Sequence, residues 1–134
     1  MVWSAGVGVF VKESDIQANI VSALRFKGYL VWMNHQNVTL GSFKEGKKLE
    51  NIYGMHVNLK KQGWMKGVPD LTVKGTESNG NRIRLYIECK LPRGKLSDAQ
   101  KDMIQMLKAQ GEEVRVARSL DDIEDLLEKD ILGS

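Results

Sequence analysis

The chain has one cysteine, two prolines and two histidines among 134 residues. The lone thiol, Cys89, excludes an internal disulfide and a cysteine-rich zinc site, which leaves a reducing, cytoplasmic setting as the default. His35 and His56 stand too far apart for metal-ligand spacing and are expected to be hydrogen-bonding or surface residues. No apolar run approaches the roughly 18 residues that cross a bilayer, so no membrane partner is expected. The opening stretch to Val11 is mildly apolar, but it has no basic leader and Lys12-Glu13 interrupts it, so export is not expected either.

Hydrophobic residues make up 42% and charged residues 28%, a balance that fits one globular domain spanning residues 1–134. The net charge of +3 hides a division. Residues 1–118 carry 19 basic against 11 acidic side chains, and residues 119–134 carry 1 against 6. A basic body with an acidic tail end is compatible with a polyanionic partner, although solubilising charge alone gives the same pattern.

Ile16, Ile20 and Leu24 recur at helical spacing before Gly28, which predicts a helix over residues 13–27; Glu13 continues that face backwards. Residues 29–33 have strand composition, and Trp32 is expected in the core. Residues 34–67 are polar and rich in Gly, Asn and Lys, and residues 38–62 read as an insertion of undefined role. Strands follow at residues 71–74 and 82–90, joined through an Asn79-Gly80 hairpin signal. Alternation in the second strand puts Ile83, Leu85, Ile87 and Cys89 on one face and Arg82, Arg84, Tyr86, Glu88 and Lys90 on the other. A capped helix from Ser97 to near Gly111, a strand over residues 114–117 and a helix over residues 119–132 complete a mixed α/β domain with helices covering a central sheet.

The chemistry concentrates in Gly67-Val68-Pro69-Asp70 and Ile87-Glu88-Cys89-Lys90. Mg²⁺ wants oxygen ligands and takes one or two carboxylates beside its waters. Asp70 and Glu88 supply carboxylates, and on neighbouring strands they could share one metal, with the backbone carbonyl of Cys89 as a third ligand. Such an ion acidifies water and takes up charge on a phosphate. Lys90 follows Glu88 by two residues and so projects on the same face. Its ammonium can stabilise the phosphate or, if its pKa is lowered, act as base. Pro69 fixes the backbone before the acid. Pro-Asp alone reads as a turn and Glu-x-Lys alone as a solvated strand edge; the two on consecutive strands make a catalytic set.

Two residues stay open at this level. Glu13 either turns its carboxylate towards a metal or its water, or lies outside a helix capped by Ser14 and Gln17. Gln100 either closes a capping box on Ser97 or points into the site to hold a water or the lysine. The Cys89 thiol faces away from Glu88 and reads as core. Lys66, Arg93 and Lys95 flank the proposed centre, where phosphates of a nucleic acid would pass. Lys44, Lys47, Lys48, Lys60 and Lys61 read as a solvated lysine-rich stretch that could extend the track, with Trp64 as a stacking candidate.

With Gly67-Val68-Pro69-Asp70, Ile87-Glu88-Cys89-Lys90 and Gly94-Lys95-Leu96-Ser97-x-x-Gln100 in order, the chain resembles the PD-(D/E)xK nucleases. Within them it is similar to the virus-type replication-repair nuclease (VRR-NUC) family, in its small stand-alone form. The resemblance runs from about Glu13 to Val116. It implies Asp70 and Glu88 as metal ligands, Lys90 as catalytic lysine, Glu13 as the acid from the first helix and Gln100 as a further site residue. It also implies Mg²⁺- or Mn²⁺-dependent cutting of DNA to a 5′-phosphate and a 3′-hydroxyl in a bacterial or phage-infected cell. Small members are similar to Holliday junction resolvases, which implies branched DNA as partner and a homodimer.

Overall fold

In the computed structural model of the protein, residues 11–34, 58 and 60–133 are described. His35, His56, Lys44, Lys47, Lys48 and most of the 38–62 insertion lie outside them, while Lys60 and Lys61 are exposed.

Helix α1 spans Glu13–Lys27 and buries Ile16, Ile20 and Leu24, the stripe that the spacing predicts. Its start is organised by Lys12 and Asp15: the Lys12 backbone N–H donates to Asp15 Oδ2 at 3.0 Å. Ser14 therefore lies inside the helix, and the alternative that makes it the cap is excluded. Gly28 ends α1 at φ 112°, a left-handed conformation that a side chain would strain.

Among the described residues four strands follow: β1 (Leu30–Met33), β2 (Leu71–Thr76), β3 (Arg82–Cys89) and, after helix α2 (Asp98–Ala109), β4 (Glu113–Ala117). Their order in the sheet is the order in the chain, with β1, β2 and β3 antiparallel and β4 parallel to β3. The β2 strand runs beyond Lys74 because Gly75 and Thr76 pair with Ile83 and Arg82. Gly80, at φ 95°, closes the β2–β3 turn by donating to Glu77 O at 2.8 Å.

One sheet face carries Val31, Leu71, Val73, Leu85, Ile87 and Cys89 into a core shared with the α1 stripe and with Ile123, Leu126 and Ile131. Trp32 is not part of that core. Its register partner is Thr72, which turns it to the opposite face, and it is 38% exposed.

The acidic C-terminal stretch departs from the expected helix over residues 119–132. A 3-10 turn (Leu120–Ile123) passes into a short helix α3 (Glu124–Leu127), and the chain then leaves helical geometry. The reason lies in the β2–β3 hairpin, which competes for the backbone. Ser78 N–H donates to Asp130 O and Leu132 N–H to Thr76 O, each at 2.8 Å, and Ile131 bridges to Glu77. Tyr29 ties this segment to the sheet, its hydroxyl donating to Leu126 O at 2.7 Å.

Candidate active site

Asp70 immediately precedes β2. The register pairs Leu71 with Ile87, so one step further Asp70 and Glu88 face each other across the β2–β3 ladder. The segment that delivers Asp70 is held on two sides. Asn34 donates from Nδ2 to Pro69 O at 2.9 Å and from its backbone to Asp70 O at 2.8 Å. Thr72 in turn donates its hydroxyl to Asn34 Oδ1 at 3.0 Å. On the far side Gly67 presses against α2: a Cβ there would lie 2.5 Å from Ala99 C and 2.9 Å from Gln100 N. Its φ of 87° adds a second reason for glycine at this place.

The Asp70 carboxylate also has a fixed orientation, because its Oδ2 accepts the Cys89 N–H at 2.8 Å. A side chain thus takes the ladder position that the strand leaves open before Leu71. Glu13 comes from the first residue of α1. Carboxylate oxygens of Glu13, Asp70 and Glu88 all lie within 4.8 Å of one another. Glu13 and Asp70 are partly buried, and Glu88 is only 2% exposed.

Glu88 breaks the alternation that makes Arg82 and Arg84 exposed, because the start of α2 covers it. Ser97 caps α2 by accepting the Gln100 N–H at 3.1 Å, while Gln100 Oε1 accepts the Ser97 N–H at 2.8 Å. The same side chain then donates from Nε2 to Glu88 Oε1 at 3.1 Å. The two alternatives open for Gln100 are realised together, and its partner in the site is the glutamate. Burial first, and then the charge and hydrogen bond of Asp70, push the Glu88 carboxyl far above the usual range; Lys90 pulls the other way. The Lys90 backbone N–H donates to Ala117 O at 3.0 Å, which extends the β3–β4 pairing one residue past Cys89.

Cys89 is fully buried, as expected for a core thiol, and burial pushes its pKa up to about 12. It is thereby unsuited to nucleophilic work at neutral pH.

A family comparison adds to this geometry. The VRR-NUC domain matches residues 11–121, a span that contains every residue of the cluster. The chain belongs to the VRR-NUC family. Membership implies a nuclease, a hydrolase acting on DNA, and the mixed sheet with its helices is consistent with the PD-(D/E)xK-like fold. A solved structure described as a VRR_NUC domain protein matches with a TM-score of 0.51 at 20% identity, over 89% of this chain and 87% of that one. This likeness shows a common fold. No curated protein matches the chain.

The donor set of this VRR-NUC chain fits a hard divalent cation: three carboxylates converge, one of them buried where an uncompensated charge is costly. Lys66, Arg93 and Lys95 are all exposed, Lys66 four residues before Asp70 and the other two within five residues after Lys90. Lys66 adjoins Gly67, which touches the first turn of α2; Arg93 and Lys95 lie in the loop that leads into that helix. Arg118 braces this loop, donating to Leu91 O at 2.7 Å and Gly94 O at 2.6 Å. Trp64 is partly buried.

Asn34, Thr72 and Arg118 escaped the sequence reading. Asn34 follows a strand and precedes a polar insertion, so nothing local distinguishes it from a turn residue. Its partners lie 35 and 38 positions away. Among the described residues no helix is long and apolar enough to cross a membrane.

Proposed function

We propose that the protein is a Mg²⁺- or Mn²⁺-dependent endonuclease that hydrolyses phosphodiester bonds in branched DNA during replication, repair or recombination. The convergence of Glu13, Asp70 and Glu88 within 4.8 Å carries the reading. Asp70 and Glu88 would hold the cation, with the Cys89 carbonyl as a further ligand and Glu13 contributing directly or through water. A bound divalent cation acidifies water and offsets charge developing on the phosphate oxygens.

The chain's own residues supply the remainder. Lys90 brings a positive charge to the reacting phosphate, which stabilises the charge that accumulates during in-line displacement. Gln100 fixes the Glu88 carboxylate in one orientation, and the Cys89 N–H does the same for Asp70. Lys66, Arg93 and Lys95 hold phosphates on either side of the scissile bond. The family resemblance to junction resolvases supports branched DNA as substrate and a homodimeric assembly, and the lone buried thiol supports a reducing cytoplasm, of a bacterial or phage-infected cell, as the setting.

The test is cleavage of labelled four-way junction, flap, single-stranded and linear duplex DNA with Mg²⁺ or Mn²⁺, beside the Lys90→Ala variant. Metal-dependent cutting of a branched substrate by the wild type alone is the expected result. Binding of junctions without cutting by either protein would make the chain a structure-specific binding module.

A further inference from the structure

The sheet face opposite the core carries a graded set of side chains leading away from the acidic cluster. Cross-strand partners project on one face, so the register defines rows. Behind the row of Asp70 and Glu88 comes Trp32, Thr72 and Tyr86; then Leu30, Lys74 and Arg84; then Thr76 and Arg82. Consecutive rows are two residues apart, about 6.6 to 6.8 Å along the strands. That step is close to one nucleotide of an extended single strand. Trp32 is 38% exposed, Tyr86 is partly exposed, and Lys74, Arg82 and Arg84 are exposed.

The charges at the far rows have an unequal distribution. Lys74 stands directly opposite Arg84, a like-charge pair that a sheet disfavours. Arg84 is paired with Glu112 at 2.6 Å, and the neighbouring Glu113 with Arg115 at 2.8 Å, so the acids of this region are already neutralised. Neither Lys74 nor Arg82 pairs with an acid among the described residues. Lys74, Thr76, Arg82 and Arg84, with Leu30 and the ion-paired Glu112 and Glu113, line an open cleft of about 870 Å³. It begins two rows from Glu88, roughly 13 Å along β3.

We propose that this face binds a single-stranded DNA arm of the substrate, with a base stacked on Trp32, across the row from Tyr86, and the following phosphates held by Lys74 and Arg82. An aromatic row followed by cations is the combination that holds a single strand, because every base has a π-face and every nucleotide a charge. The proposal rests on the nuclease reading and narrows it: the branched DNA is one with a single-stranded arm, leading directly from the carboxylate cluster. The duplex part lies over Lys66, Arg93 and Lys95 instead.

The test measures anisotropy of a fluorescein-labelled oligothymidylate and of an equally long blunt duplex, with the full chain in EDTA so that nothing is cut. Lys74→Glu with Arg82→Glu should weaken oligothymidylate binding about tenfold or more, lower its log–log salt slope by about 1.4, and leave duplex binding within about twofold. Trp32→Ala should weaken oligothymidylate binding roughly fivefold or more and leave the salt slope unchanged. Lys74→Gln with Arg82→Gln repeats the test if charge reversal impairs folding. Equal losses on both probes, or no loss on either, would overturn the proposal. So would a dimer that falls to monomer in the charge-reversed variant, since the face would then belong to a second copy of the chain. Cleavage by the wild type is scored separately. Absence of cutting with oligothymidylate binding intact would remove the nuclease reading, whereas cutting with unaltered binding in the variants would remove only this surface.

Discussion

Two helix N-termini meet at the carboxylate cluster, and they divide their functions differently. At α1 the third residue, Asp15, ties down the Lys12 backbone, and the first, Glu13, joins the cluster. At α2 a single residue does both: Gln100 closes the capping box on Ser97 and holds Glu88. Both ends place a positive helix pole near negative side chains, which favours the cluster electrostatically. The difference teaches that stability and site chemistry are separable at α1 and fused at α2.

The largest expected effect comes from removing the groups on which both helices converge. Asp70→Ala or Glu88→Gln should abolish cleavage and divalent-metal binding while the far-ultraviolet dichroism stays that of a folded protein. Glu88→Gln should also stabilise the metal-free protein. With its folded pKa above the unfolded one, Glu88 favours the fold at pH below its unfolded value and disfavours it progressively as pH rises towards the folded value. Thermal melts in EDTA should accordingly show the variant's advantage growing from about pH 5 to pH 8.

Next in size is the joint between the loop of Asp70 and α2. Gly67→Ala should cost about 1 to 3 kcal/mol in denaturant unfolding, because a left-handed backbone is strained and the new methyl meets the Ala99 backbone.

The fused function of Gln100 can be split by choice of substitution. Gln100→Ala should keep the Ser97 hydroxyl bond to its backbone but lose the acceptor for Ser97 N–H, a cost of about 0.5 to 1 kcal/mol, together with cleavage. Gln100→Glu keeps an acceptor for Ser97 N–H but sets a like charge against Glu88. Cleavage should then fall roughly 10- to 100-fold while the cap is retained. The pair at α1 should behave as independent parts. Glu13→Gln should lower cleavage about tenfold with little change in stability, and Asp15→Ala should cost about 1 kcal/mol with cleavage within about twofold. The smallest effect is expected at the loop before α2, where Arg93→Ala with Lys95→Ala should lower the salt slope of duplex binding by about 1.8.

The parts of this arrangement that were readable in the chain are those set by local rules. The α1 stripe, its end at Gly28, the β2–β3 hairpin and the cap at Ser97 follow from periodicity and turn chemistry. Adjacent strands then bring Asp70 and Glu88 together. What local rules miss are the long-range choices. Trp32 has strand composition in either orientation, and only pairing with Thr72 shows which face it takes. The residues after Leu127 have a helical pattern, yet hydrogen bonds to Thr76 and Ser78 draw them away. Gln100 has an unambiguous capping spacing, and nothing in that spacing reveals that the other end of its amide reaches Glu88. Family resemblance, by contrast, pointed to Glu13 and Gln100 as site residues, and both side chains reach the cluster.

Calorimetric titration of the full chain with Mn²⁺, wild type beside Asp70→Ala, tests the central claim most directly. The three-carboxylate centre predicts saturable binding to the wild type that is lost in the variant. Equal binding by both, or none by the folded wild type, would contradict it.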